Sequence, residues 1–382
     1  MGATGGVHVT GEAGESVKRS GWRGVGKRKL LAGGAALVLL AALAGTWATR
    51  TWPFTADESY CWGAWRENSG PEFLGGAALD DGNGRRTGTE EAPTQQHPTG
   101  TCAVAIDTWH SFGDDDKITT RVKVNVDYGP VPKPLSERAT WVADHLGGDA
   151  LPLPDGLPGV VHSLGGAIVL PKRCDAPDGR PTVVTLTSHA TDTWSKGTSA
   201  GRVGLGGTRS VAALLVAAAN HGMKAAGCEA GRPYKLVSPM LQLPEKTENF
   251  VTDDVCRIPG LTVDKAVGDE VEYQVGAVDR DLQSCSLRLE RGEGRVYDGL
   301  MVAQPRLADL LDGVTGDRPP APGWRGTGVF KDDYGIVRAD CAGRPATFVM
   351  LFMSSERQKA FTDAVTQRLG CAPLAPRHTP SS

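Results

Sequence analysis

The spacing of apolar and polar positions divides the chain near residue 50. Leu30 to Thr49 runs for 20 residues without a charge, and through Leu43 it is almost entirely Leu, Ala, Val and Gly. At about 1.5 Å per residue such a helix is roughly 30 Å long, the thickness of a bilayer's hydrocarbon core. The pattern predicts a transmembrane helix over 30–49. Beyond it the periodicity changes to short β-like runs and two amphipathic helices. Arg209 to Ala226 sets Val211, Leu214, Leu215 and Ala218 on one helical face; after Ser354 or Ser355, either of which can cap, Ala360, Phe361, Ala364, Val365 and Leu369 form a second stripe. Both helices run into the same dipeptide, Gly227-Cys228 and Gly370-Cys371. Glycine supplies the left-handed residue that stops a helix.

That shared ending belongs to a longer correspondence. Gly179-Arg180-Pro181 precedes an apolar strand over 182–187, and Gly343-Arg344-Pro345 precedes one over 346–352. Gly159-Val160-Val161 matches Gly328-Val329-Phe330, and Ile168-Val169 matches Ile336-Val337. The expectation is an internal repeat, with ectodomain copies over 57–240 and 254–371, a connector over 241–253 and a disordered tail over 372–382. Two polar stretches of the first copy, 80–100 and 190–207, read as surface loops. The fold class expected is α+β: an N-terminal transmembrane helix, then two tandem disulfide-bonded domains. Each would hold a small, mostly antiparallel sheet and a C-terminal helix.

Charge orients this layout. Six basic residues precede the apolar stretch, so the positive-inside rule leaves 1–29 as a cytoplasmic basic segment and places the bulk outside. Trp47 and Trp52 suit an interfacial belt. Ala42-x-Ala44 and Thr46-x-Ala48 keep open a cleaved signal and a secreted product. Residues 51–382 carry 34 Lys and Arg against 42 Asp and Glu, which disfavours nucleic acid.

All eight cysteines (Cys61, Cys102, Cys174, Cys228, Cys256, Cys285, Cys341 and Cys371) follow the apolar stretch, as a disulfide framework requires. No close Cys pair suggests zinc. Pairing within each copy gives Cys61–Cys102, Cys174–Cys228, Cys256–Cys285 and Cys341–Cys371, one of the three connectivities four cysteines allow.

Candidate chemistry is sparse. His162-Ser163-Leu164-Gly165 is like a nucleophile elbow, but Val161 replaces the first glycine and a β-like run follows where a helix should. Asp107 and His110 near Asp114, Asp115 and Asp116 lack the alternation of a calcium loop. Gly204, Gly206 and Gly207 before a helix could cradle phosphate, without the Lys-Ser/Thr that would follow. Trp62 and Trp65 suit a core beside Cys61. No catalytic, cofactor-binding or metal-binding residue is assigned. The Ala-, Gly- and Arg-rich composition and the Cys61-Trp62-Gly63 box resemble uncharacterised actinobacterial single-pass envelope proteins, a resemblance that implies no activity. The function expected is a membrane-anchored binding or assembly module with a protein partner outside the cytoplasm. The alternatives are a sensor ectodomain acting through a partner, or a serine hydrolase built on Ser163.

Overall fold

The computed structural model describes residues 58–376, except 83, 113–115, 149, 195–196, 202–204, 230, 242–254, 263–270, 290–294, 333 and 352. A small hairpin, β1 (Ser59–Tyr60) with β2 (Trp65–Arg66), leads into the first large sheet. Its strands are β3 (Gly84–Glu91), β4 (Gly100–Phe112), β5 (Asp116–Pro130), β6 (Leu151–Pro152), β7 (Gly159–His162), β8 (Gly165–Val169), β9 (Thr182–Trp194) and β10 (Gly197–Gly201). Helix α1 (Leu135–Leu146) follows β5, and α2 (Gly207–Ala225) follows β10. The second large sheet holds β11 (Val271–Val278), β12 (Leu282–Leu289), β13 (Arg295–Val302), β14 (Thr327–Phe330), β15 (Tyr334–Cys341) and β16 (Arg344–Leu351). A single turn of helix, α3 (Pro305–Ala308), follows β13, and α4 (Ser355–Leu369) follows β16.

The first sheet runs β3-β4-β5-β9-β8-β7-β6, with β10 also on β9; the second runs β11-β12-β13-β16-β15-β14. Every pairing is antiparallel. Apart from β6 and β10, the two sheets are the same path traced twice: three meandering strands, a helix, a return through three more, and a closing helix. The match extends to single dihedrals. Cys61 and Cys256 both take left-handed backbone, φ 53° and 55°, and Gly179 and Gly343 both sit at φ 82° before their Arg-Pro pairs. Both closing helices end alike. Gly227 N–H donates to Lys224 O and Cys228 N–H to Met223 O; Gly370 N–H donates to Gln367 O and Cys371 N–H to Thr366 O. This paired-bond ending needs a left-handed residue, and Gly227 and Gly370 provide it at φ 69° and 72°.

The α+β, transmembrane expectation is corrected. The protein is mostly sheet: three sheets against four short helices among the described residues. Much of the difference lies in the two supposed loops. Residues 84–91 form edge strand β3, and 190–201 continue β9 and turn into β10. Neither announces itself by an apolar stripe, because β3 buries only Arg86. That guanidinium is held by Glu67 at 2.6 Å and by the carbonyls of Phe73 and Gly75. No helix among the described residues is long and apolar enough to cross a membrane; 1–29 and 30–49 lie outside them. The start of the expected disordered tail is also corrected: Leu374 and Ala375 are buried, and Arg325 N–H donates to Leu374 O. Most of the 241–253 connector lies outside the described residues.

Strand alternation explains the layering. Even positions of the first sheet (Val104, Ile106, Val124, Val126, Val184, Leu186) pack under α2, and Trp65 donates its indole N–H to Leu214 O at 2.9 Å. On the second sheet Tyr297, Met301, Phe348 and Met350 pack under α4 around Phe361. The opposite faces do not form two separate exteriors. Val160, Val169 and Val183 share one buried cluster with Leu300, Val302, Ile336, Val349 and Leu351, with α1 (Val142, Leu146) and the α3 region (Leu307, Leu310, Leu311) between them. Residues from Glu58 onward are therefore one compact unit. Polar clamps reinforce it: Arg138 donates to Asp312 O at 3.0 Å and Ser284 to Gly148 O at 2.8 Å. Arg306, 13% exposed, donates to Leu170 O and pairs with Asp175 and Asp309.

Candidate functional site

All eight cysteines are used in four disulfides: Cys61–Cys102, Cys174–Cys228, Cys256–Cys285 and Cys341–Cys371. A fully oxidised framework of this kind belongs to an extracytoplasmic compartment. Each bridge has a fixed place in the repeated path. The first of each half ties the lead-in segment to the second strand, and the other ties the closing helix to the sheet.

The other singled-out residues that the structure describes do not assemble a reaction centre; Asp114, Asp115 and Gly204 lie outside the described residues. Ser163 and Leu164 make a two-residue hairpin turn between β7 and β8, where His162 pairs with Gly165, so no helix follows the serine. Asp107 is engaged by Arg121, with Nε to Oδ1 at 2.6 Å and Nη2 to Oδ2 at 2.9 Å. His110 lies on the β4–β5 ladder opposite Ile118, and no metal-ready group of three or more His, Cys, Asp or Glu occurs among the described residues. At the start of α2, the Glu72 carboxylate packs on the Cα of Gly206. A carboxylate at a helix's positive end already supplies the favourable charge a phosphate would bring. Trp65 is core; Trp62 packs edge-on against Tyr128 and donates its indole N–H to Glu91 O.

The surface with the most varied chemistry is the odd-numbered face of the first sheet. The strand registers align it in rows. Glu91, Thr101, Asp127 and Thr185 form one; Thr89, Ala103, Asn125 and Thr187 the next; Thr87, Ala105, Lys123 and His189 the third. Arg85, Asp107, Arg121 and Thr191 form the fourth, and Trp109, Thr119 and Thr193 the last. Directly opposed residues on antiparallel strands project to the same side, so this is one continuous face. Three shallow depressions lie along it: about 210 Å³ where Trp141 of α1 meets Thr101 and Thr185, about 540 Å³ around Lys123 and Asn125, and about 410 Å³ between Trp109, Arg121 and Thr193.

At its tip, Trp109 is 37% exposed. The Asp107–Arg121 fork lies one row away. The hydrogen bond from Arg121 holds the Asp107 carboxyl below its ordinary range, and the same bond raises Arg121. Both ends therefore stay charged at neutral pH. At the base, Trp141 stacks on His145 with centroids 4.4 Å apart; burial pushes His145 below its ordinary 6.5, against the bond from its Nδ1 to Trp141 O.

Sequence reasoning missed this face. Its signal was present as partial alternation: Cys102, Val104, Ile106, Val122, Val124, Val126, Val184 and Leu186 at even positions alternate with Thr101, Asp107, Lys123, Asn125, Asp127, Thr185 and Thr187 at odd ones, while Ala103, Ala105, Trp109 and Val183 are apolar odd positions. No family model, curated protein or solved structure matches the chain.

Proposed function

We propose that the protein is an exported binding module, built from two copies of one unit, that recognises its partner on the open odd-numbered face of the first sheet. One observation carries this reading. The equivalent face of the second sheet, with Ser284, Ser286, Leu300, Val349 and Leu351, is buried in the shared core, whereas its counterpart lies open and displays Trp109. On this reading the second half is scaffold, and no side-chain constellation among the described residues favours the sensor or Ser163 hydrolase alternatives.

The test is site-specific photo-cross-linking on intact cells. A benzophenone side chain at Thr187, in the middle of the face, should give a covalent adduct that survives boiling. The same group at Glu356, exposed on α4, should not. Equal adducts at both positions, or none at Thr187, overturn the reading.

A further inference from the structure

We infer that the outer edge of β3 pairs with the β3 edge of a second copy of this chain, antiparallel about a two-fold axis through Gly88. The inference stands apart from the binding-face reading, since β4 and β5 separate β3 from β9 and Thr187.

From residue 85 the strand reads Arg85-Arg86-Thr87-Gly88-Thr89-Glu90-Glu91, a palindrome in charge. Laid antiparallel on itself about Gly88, it sets Arg85 opposite the partner's Glu91, Arg86 opposite the partner's Glu90 and Thr87 opposite the partner's Thr89. Opposite charges and paired hydroxyls directly across a ladder stabilise it. The register is specific: a slip of two residues either way leaves both arginines opposite uncharged residues. Arg86 is already held by Glu67, and Glu90 already accepts the Trp62 N–H. The new ion pair is therefore Arg85 with the partner's Glu91, both exposed, and the two-fold axis forms it twice.

The edge is built to accept such a strand. Among the described residues β3 has one strand neighbour, β4, in unbroken register from Gly84 to Glu91. It carries no proline, lysine or bulge, the devices that commonly blunt an edge. Thr87, Gly88 and Thr89 are exposed, and Gly88 brings no side chain to the axis because the Tyr60 ring fills the space where its Cβ would lie. Glu91 O takes the Trp62 indole, so the shared backbone bonds centre on Thr87 to Thr89. The strand at the same place in the second half, β11, has Glu272 as its single charge and no such palindrome. Directly paired residues project to one side, so the odd-numbered faces of the two copies join. The acidic base of one, Glu91 and Asp127, then continues the rows of the partner's Arg85 and the partner's Arg121. Seven paired residues span roughly 24 Å at about 3.4 Å each, a contact smaller than the roughly 1,200 Å² of a standard interface, which sets the dimer in the micromolar range.

The experiment is sedimentation equilibrium of the purified full-length protein, in one detergent throughout, at about 1 to 200 μM. Arg85→Glu, Glu91→Arg and the double variant Arg85→Glu/Glu91→Arg run alongside. Expected is a monomer–dimer equilibrium that either single reversal weakens by about tenfold or more, since each sets like charges opposite one another twice. The double variant remakes the pair with its signs exchanged and should return to within about threefold of the parent. Because Arg85 and Glu91 are exposed, melting temperatures near the parent's serve as the folding control. A protein that stays monomeric over this range, a dimer that Arg85→Glu leaves intact, or a double variant as weak as the single ones overturns the inference.

Discussion

The two halves of this molecule share a strand order, a disulfide plan and two identical helix endings, yet they expose opposite fractions of themselves. Their difference is mainly one of strand length. β4, β5 and β9 are 13, 15 and 13 residues, against 8 for each of β12, β13 and β16. Five to seven extra residues carry the first sheet roughly 17–24 Å beyond its partner. The second half can cover only the base of that sheet, where Val160, Val169 and Val183 meet the shared core. Past that line most odd positions are polar because water, not protein, faces them; Ala103, Ala105 and Trp109 are the exceptions. On the proposed reading, the half with the shorter strands serves as scaffold and the half with the longer strands carries the binding face.

The largest test of that equivalence is the closing disulfides. Removing Cys174–Cys228 or Cys341–Cys371 by paired Cys→Ala substitution releases sequence separations of 54 and 30 residues. Chain entropy gives each about 4 kcal/mol, the first about 0.5 kcal/mol more than the second. Denaturant titrations that separate the two losses by several kcal/mol would show the halves are not energetically equivalent.

Next comes the seam. Arg306→Met leaves Asp175 and Leu170 O without their cation, a loss of about 3 kcal/mol for a charge buried to this degree. Loss of fluorescence and of far-UV signal should still coincide in one transition, since the halves share a core. Two transitions would mean each half stands alone.

A smaller effect should follow pH. His145 sits in α1 at the base of the open face, and burial depresses its proton affinity. The unfolded chain therefore takes up the proton first. Stability is full above the ordinary value of 6.5 and declines as pH falls below it, by at most about 1.4 kcal/mol per unit. His145→Gln should flatten that part of the melting-temperature profile between pH 7 and 5. An unchanged slope would place the titration elsewhere. Smallest of all, Trp109→Ala should lower global stability by about 1 kcal/mol, well below the roughly 3–5 kcal/mol of a fully buried aromatic, because its ring is 37% exposed.

Much of the second half was readable because its cues are local. The Gly-Cys helix endings, the Gly-Arg-Pro turns and the cysteine spacing each act within a few residues. The first half was harder. β3 and β10 are edge strands rich in Gly, Thr and Arg without apolar alternation, so their segments look like loops until β4 and β9 are placed beside them. The seam was invisible for a different reason. Leu300 and Val349 announce that they are buried, but alternation cannot say that Val142 and Leu146 of the other half bury them. The open face fell between the two: its alternation was legible, while its exposure depended on where the second sheet stops.

The four bridges also change what a protease outside the cell can accomplish. Each encloses a closed ring of chain: Cys61 to Cys102, Cys174 to Cys228, Cys256 to Cys285, Cys341 to Cys371. A single cut inside any of these rings severs a peptide bond without separating the pieces. Such a nick leaves α2 or α4 fastened to its own sheet, able to settle back into the groove it left. Between the rings, from Ala103 to Arg173, much of the chain lies in strands paired on both sides or in the core-facing α1. Chain outside the rings has no such tether: Val237 and Leu241, between the second and third, are 76% and 51% exposed, so a cut that parts the two halves is expected there before one inside a ring takes effect.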